Sequence, residues 1–301
     1  MIDSGMRVLT DGATGTRLRL ESPLELDPVL DMAGLAASGG GAALQAVAGE
    51  YVAIAEALSL PIQLDAMTYW ASPDHLDAAG GSAELLTLNK ACVSALDPLR
   101  SDSVYVAGVL GPRVDGYRGG SDMTVDTAHR YHARQAEALA ASTADLILIS
   151  TQGSGAEALG TAKAVADTDA DYVVGFVVSS SGTLPDGTDV ALTIKQIDSL
   201  AKPPVHYLVS CTHAATAQEA MRHIMREGGE LSSRVLGIKA NGSAAGAEVL
   251  EAASHPLSDP PLEWARAVSA LADETNMRVL GGCCGTDSRH ILALGLELCR
   301  A

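Results

Sequence analysis

Val205-His206-Tyr207-Leu208-Val209 is a short apolar run of β type that ends in Ser210-Cys211-Thr212-His213 and passes directly into a helical pattern over Ala214 to Glu227. A strand followed by a helix is the unit of a parallel sheet, because parallel neighbours are joined only by a crossover. The unit recurs. Similar runs lie at Val8-Leu9-Thr10, Pro61 to Leu64, Val104 to Val109, Leu146 to Ile149, Tyr172 to Val178, Val235 to Lys239 and Met277 to Leu280, eight in all. Further helical patterns fall at Glu50 to Leu58, His129 to Ala144, Ala156 to Ala166, Leu262 to Glu274 and Ser288 to Cys299. Eight such units in 301 residues predict an α/β chain folded over 1–301 as a single-domain (β/α)8 TIM barrel.

Composition narrows the class. Hydrophobic residues make up 47% of the chain, enough for a large core, and no apolar stretch has the length of a membrane span. Met1 to Leu9 lacks the basic flank and apolar core of an export signal, so a cytoplasmic protein with reduced thiols is expected. The five cysteines, Cys92, Cys211, Cys283, Cys284 and Cys299, are an odd number, which argues against a disulfide framework. A formal net charge of −17 disfavours nucleic acid and anionic membrane as partners and leaves small molecules; the sequence does not set the oligomeric state.

Two of the strands end in cysteine. Cys211 follows the run at 205–209, and Gly281-Gly282-Cys283-Cys284-Gly285-Thr286 follows the run at 277–280. Strand ends of a parallel barrel share one face, the face that carries active sites. Three thiolates there suit zinc, which prefers soft ligands and, in catalytic sites, takes three protein ligands with the fourth position open. The adjacent pair Cys283-Cys284 also admits a vicinal disulfide or simple burial as small apolar residues. Cys92 and Cys299 fall within helical patterns and read as packing residues.

Tyr69 and Trp70 follow the second strand in a chain with one phenylalanine and two tryptophans. Aromatic faces hold onium groups well, and rings also pack barrel rims, so both roles are open. Trp264 sits in a helical pattern and reads as structural. His213 either caps the helix after it or points into the site. His290 follows Asp287-Ser288, the start of the last helix, and reads as structural.

Several motifs resemble the zinc-dependent homocysteine S-methyltransferases, which include the betaine and S-methylmethionine enzymes. They are Asp11-Gly12-Ala13-Thr14-Gly15-Thr16, Met67-Thr68-Tyr69-Trp70-Ala71-Ser72, Gly108-Val109-Leu110-Gly111-Pro112, Asn241-Gly242, Cys211-Thr212-His213 and Gly281 to Thr286 with His290-Ile291 beyond. The resemblance implies zinc held by Cys211, Cys283 and Cys284. It also implies methyl transfer from an onium donor, such as S-methylmethionine or betaine, to a zinc-bound thiol such as homocysteine, giving methionine. The substrates are then expected near Asp11, Gly12, Thr68, Tyr69, Trp70, Ser150 and Asn241, with no catalytic residue beyond the metal-bound thiol.

The chain departs from that pattern at Ser150-Thr151, where the family carries E-T and uses the carboxylate on the substrate's amino group. It departs again at Ser210, in place of asparagine, and at Lys239-Ala240, in place of Y-P. A serine hydroxyl offers a neutral hydrogen bond where a charge-assisted one would form. Either Asp11 or Glu157 compensates, or the acceptor is a different thiol. A zinc hydrolase on the same barrel would need a His-rich ligand set that the sequence lacks, and a non-catalytic zinc- or thiol-binding homologue is the remaining alternative.

Overall fold

Each apolar run forms a strand, and the eight strands close on one another in sequence order as a parallel barrel. They are β1 (Val8–Thr10), β2 (Ile62–Asp65), β3 (Val104–Leu110), β4 (Leu146–Gln152), β5 (Tyr172–Phe176), β6 (His206–Thr212), β7 (Val235–Ala240) and β8 (Val279–Gly282). The structure is a computed structural model that describes residues 6–21, 25–81, 85–119, 122–227, 229–246, 249 and 255–300. Closure is made by β8 against β1, with Val8 opposite Val279 and Leu9 opposite Leu280.

Alternation along the strands separates two cores. Ala107, Val109, Leu148, Val173 and Leu208 cluster together in the lumen. Their alternates, among them Leu64, Val106, Ile149, Val174, Tyr207, Val209, Ile238 and Leu280, pack with the surrounding helices, where Trp264 is fully buried. Trp264 Nε1 donates to the carbonyl of Asn241 at 3.0 Å, so this ring is structural, as its helical setting suggested.

Strands β4 and β6 run three residues beyond their apolar stretches. Each does so through a residue in the left-handed region, Thr151 at φ 51° and Cys211 at φ 47°, and the strand register shifts at both places. The helical pattern at 129–144 is displaced to Val125–Ala140, because the Thr124 side chain accepts from Thr127 N and starts the helix earlier. Helices at Thr14–Glu21, Met32–Ala37, Pro73–Ala78 and Val190–Asp198 had not stood out in the sequence, the helical pattern around Cys92 is Leu85–Ser94, and the helix before β2 extends back to Gly41. No helix among the described residues is long and apolar enough to cross a membrane.

The neighbouring helices Val125–Ala140 and Gly155–Ala166 meet closely at Gly160, where an added Cβ would lie 2.5 Å from Ala128 Cβ, 2.9 Å from His129 N and against the carbonyl of Val125. Alanine in an exposed helix interior stabilises by about 1 kcal/mol relative to glycine. Here the sign should reverse: Gly160→Ala is expected to lower stability by about 1–3 kcal/mol through overpacking, measured by urea unfolding.

Candidate active site

The C-terminal mouth of the barrel opens into a cavity of about 290 Å³. Its sulfur wall comes from β6 and β8. In regular alternation Cys211 would point outward with Tyr207 and Val209. The left-handed turn at Cys211 and the register shift between Ser210 and Thr212 re-aim it, as a β-bulge does, so that Ser210 and Cys211 both line the cavity. Cys283 N donates to Ala240 O at 2.8 Å and Gly242 N to Cys284 O at 2.8 Å, which ties the loop after β8 to the end of β7.

The ligand atoms of Cys211, Cys283 and Cys284 lie within 4.8 Å of one another. Cys211 and Cys283 are joined as a disulfide with Cα atoms 5.4 Å apart, and Cys284 is a free thiol. This differs from the expectation that the thiols stay reduced, and from a vicinal 283–284 pairing as well. The turn at Cys211 aims its side chain at the β8 loop, so the sulfurs that meet come from different strands. Burial pushes the Cys284 thiol above its ordinary pKa, and Tyr117 Oη lies 3.9 Å from its sulfur.

The adjoining wall, from β7, β1 and β2, carries charge. Lys239, pointing inward from β7, donates to Asp11 Oδ1 at 2.6 Å and to Asp65 Oδ2 at 2.7 Å. Asp11 Oδ2 accepts from Thr14 Oγ1 at 2.9 Å, and Asp65 Oδ1 accepts from Gln63 Nε2 at 3.1 Å. Burial raises the Asp11 pKa, to about 6, against the pull of Lys239. Burial alone would lower that of Lys239, but the two carboxylates outweigh it and the ammonium holds its proton more firmly than usual. Asp65 and Lys239 were not singled out as site residues. The available signal was a charged residue at an inward position of an otherwise apolar strand. Gly12 permits the β1 loop to approach the helix at Gly41–Ala57, since a Cβ there would sit 2.8 Å from Tyr51 Oη.

Tyr69 and Trp70 both line the cavity, edge to face with ring centroids 4.7 Å apart. Tyr69 is fixed by a 2.7 Å hydrogen bond between its hydroxyl and Thr151 Oγ1, and Trp70 leans on His75 at 4.6 Å. Ser150 lines the cavity as well, with Arg19 and Asp31 paired at 2.6 Å across its mouth. Tyr117, Arg19 and Asp31 lie outside the motifs read from the sequence.

Other expected residues lie behind these walls. Thr68 is fully buried, donating through Oγ1 to Val109 O and accepting from Val109 N, both at 2.7 Å, and so clamps the turn after β2 to β3. Asn241 braces the sulfur wall, with Nδ2 donating to Cys211 O at 2.9 Å. Glu157, a candidate to replace the family carboxylate, is buried away from the cavity, accepts from Arg113 N at 2.6 Å and meets His132 Nε2 at 3.1 Å. His213 starts its helix and pairs with Asp259 at 2.9 Å. His290 forms a capping box with Asp287. Neither Cys92 nor Cys299 lines the cavity: Cys92 is buried with Sγ 3.7 Å from Ala33 O, and burial pushes its thiol up to about 12, whereas Cys299 caps the last helix and is exposed, not the packing residue expected.

Comparison with known proteins narrows the class further. Residues 8–298 match the family model for homocysteine S-methyltransferase. The chain belongs to that family and is a methyltransferase. In fold it is similar to the homocysteine methyltransferase MmuM from Escherichia coli. The oxidized form matches at a TM-score of 0.76 and 20% identity, covering 97% of this chain and 96% of that one. The metallated form matches at 0.75 and 20%, covering 98% and 97%, and the apo form at 0.67 and 19%, covering 98% and 97%. A comparison with curated proteins returned no significant match.

Because Thr68 satisfies both backbone groups of Val109, Thr68→Val should cost about 1–3 kcal/mol of stability by leaving a buried donor and acceptor unpaired. Chemical denaturation should register this loss, and thiol affinity of the folded variant should change little, since Thr68 does not line the cavity.

Proposed function

We propose that the protein transfers a methyl group from an onium donor to a thiol acceptor held by zinc on Cys211, Cys283 and Cys284. The observation that carries this reading is the convergence of three sulfur ligand atoms within 4.8 Å on a cavity that two aromatic rings also line. Three soft donors fit zinc, which Cys211, Cys283 and Cys284 would hold once Cys211 and Cys283 are reduced. Zinc bound there would supply the Lewis acidity that keeps a thiol deprotonated at neutral pH; the acceptor's thiolate sulfur takes the methyl group while the onium atom keeps the electron pair of the broken bond.

The chain's own residues do the rest. Tyr69 and Trp70 present faces to the methyl donor, and cation–π attraction suits an onium centre, which has no N–H to donate. The hydrogen bond from Tyr69 to Thr151 holds the first ring in place, so little orientation is lost on binding. At pH 7 the Asp11–Lys239–Asp65 cluster leaves one net negative charge in the cavity wall, a field that favours a cationic donor. Asn241 holds the Cys211 backbone and Tyr117 stands over Cys284, so both ends of the sulfur wall are braced.

Reduced protein is expected to bind one zinc per chain, and Cys211→Ala, Cys283→Ala or Cys284→Ala to abolish stoichiometric binding, as read by elemental analysis after dialysis. Full zinc and activity in Cys211→Ala would refute the ligand set.

Trp70→Ala should raise the donor KM about 2- to 30-fold, the equivalent of ~0.5–2 kcal/mol of lost cation–π attraction. Zinc content and stability should be spared. Steady-state kinetics with S-methylmethionine and betaine test this, and unchanged donor kinetics with both would assign the ring to packing.

A further inference from the structure

The charged side chains that line the cavity are Asp11, Asp65, Lys239, Arg19 and Asp31, and each has a charged partner within the protein. Each oxygen of the inner carboxylates also holds a hydrogen bond from within the protein. Both oxygens of Asp11 have a donor, Lys239 Nζ and Thr14 Oγ1, and so do both oxygens of Asp65, Lys239 Nζ and Gln63 Nε2. Lys239 therefore places an ammonium where an amino-acid substrate would need to place its own. The acceptor named by the family, homocysteine, carries an ammonium on the carbon chain that bears its thiol. That group brings three N–H donors out of water, and a buried ion without partners is costly. What the cavity has left is neutral: Ser150 and Ser210 line it, and Ser210 Oγ is buried with no hydrogen-bond partner. A neutral hydroxyl can accept one N–H of an ammonium but brings it no countercharge, as a free carboxylate would.

Resting on the thiol-transfer reading above, we infer that the acceptor is a thiol without an ammonium group, and that Lys239 sets this specificity by occupying the two carboxylates from inside the protein. A donor whose only cation is a quaternary onium, such as betaine, is not excluded by the same argument, because that centre has no hydrogen to donate and needs only the aromatic faces and the negative field.

The test uses the reduced, zinc-loaded, full-length protein with homocysteine and 4-mercaptobutanoate, which differ only in the amino group. Two measurements are made on each: kcat/KM with betaine, which carries no ammonium, as donor, and Kd by titration calorimetry without donor. In the wild type, kcat/KM should be about tenfold or more higher and Kd about tenfold or more lower for 4-mercaptobutanoate than for homocysteine, the cost of about one unmatched charged hydrogen bond. In Lys239→Met, which frees Asp11 and Asp65, the ratio should move toward homocysteine by about tenfold. A wild type that prefers homocysteine, or that binds neither thiol, overturns the inference, as does a folded Lys239→Met with an unchanged ratio. Should Lys239→Met not fold, the wild-type ratio alone decides. If no methyl is transferred to either thiol while 4-mercaptobutanoate binds more tightly, the specificity inference stands and the methyl-transfer reading falls.

Discussion

Closure of the barrel between β1 and β8 turns residues from opposite ends of the chain into one site. The ladder that sets Val8 against Val279 and Leu9 against Leu280 carries on past the strand ends, where Gly282 N donates to Asp11 O at 3.1 Å. Asp11 is thereby fixed beside the loop that bears Cys283 and Cys284. The same closed sheet brings β7 within reach of both β1 and β2, so that Lys239 meets two carboxylates across the lumen. An open sheet of the same strands would leave these ions far apart and the cysteines on separate edges.

The cavity divides by chemistry. One wall is sulfur, from β6 and β8, and another is ionic, from β1, β2 and β7. The apolar lumen cluster closes the floor on the side of β3 to β6, and the aromatic rings after β2 complete the enclosure. Taking ions out of water costs several kcal/mol each, so a buried cluster of this kind persists only when its members satisfy one another. Here four carboxylate oxygens and the Lys239 ammonium do so within the protein. The cluster thus serves as a rigid part of the wall, and it leaves little unmet hydrogen bonding for a ligand to exploit.

Two local departures from ideal strand geometry decide which side chains reach the cavity. Cys211 and Thr151 both adopt positive φ near the ends of their strands. Left-handed backbone costs a residue with a Cβ of order 1–3 kcal/mol, and such strain tends to collect at functional sites. At Cys211 it converts an outward position into a ligand position. At Thr151 it places the hydroxyl against Tyr69 while Ser150 still lines the cavity.

Most of the fold was legible in the sequence, because hydrophobic periodicity is a local property and eight strand-helix alternations admit few parallel topologies. The cysteines and the aromatic pair were legible too, since their residue types and their places after strands already limit the chemistry. Helices such as Met32–Ala37 and Pro73–Ala78 were missed because short helical turns compete with loop composition at that length. The roles of Thr68, Asn241 and Glu157 were not decided by the sequence: whether a polar residue near a strand end faces the cavity or braces the wall depends on strand register and on hydrogen bonds to segments distant in the chain. The pairing of Asp11 and Asp65 with Lys239 was likewise decided only by the tertiary structure. No periodicity records that an inward position on β7 stands opposite inward positions on β1 and β2, because that distance exists only after the sheet has closed.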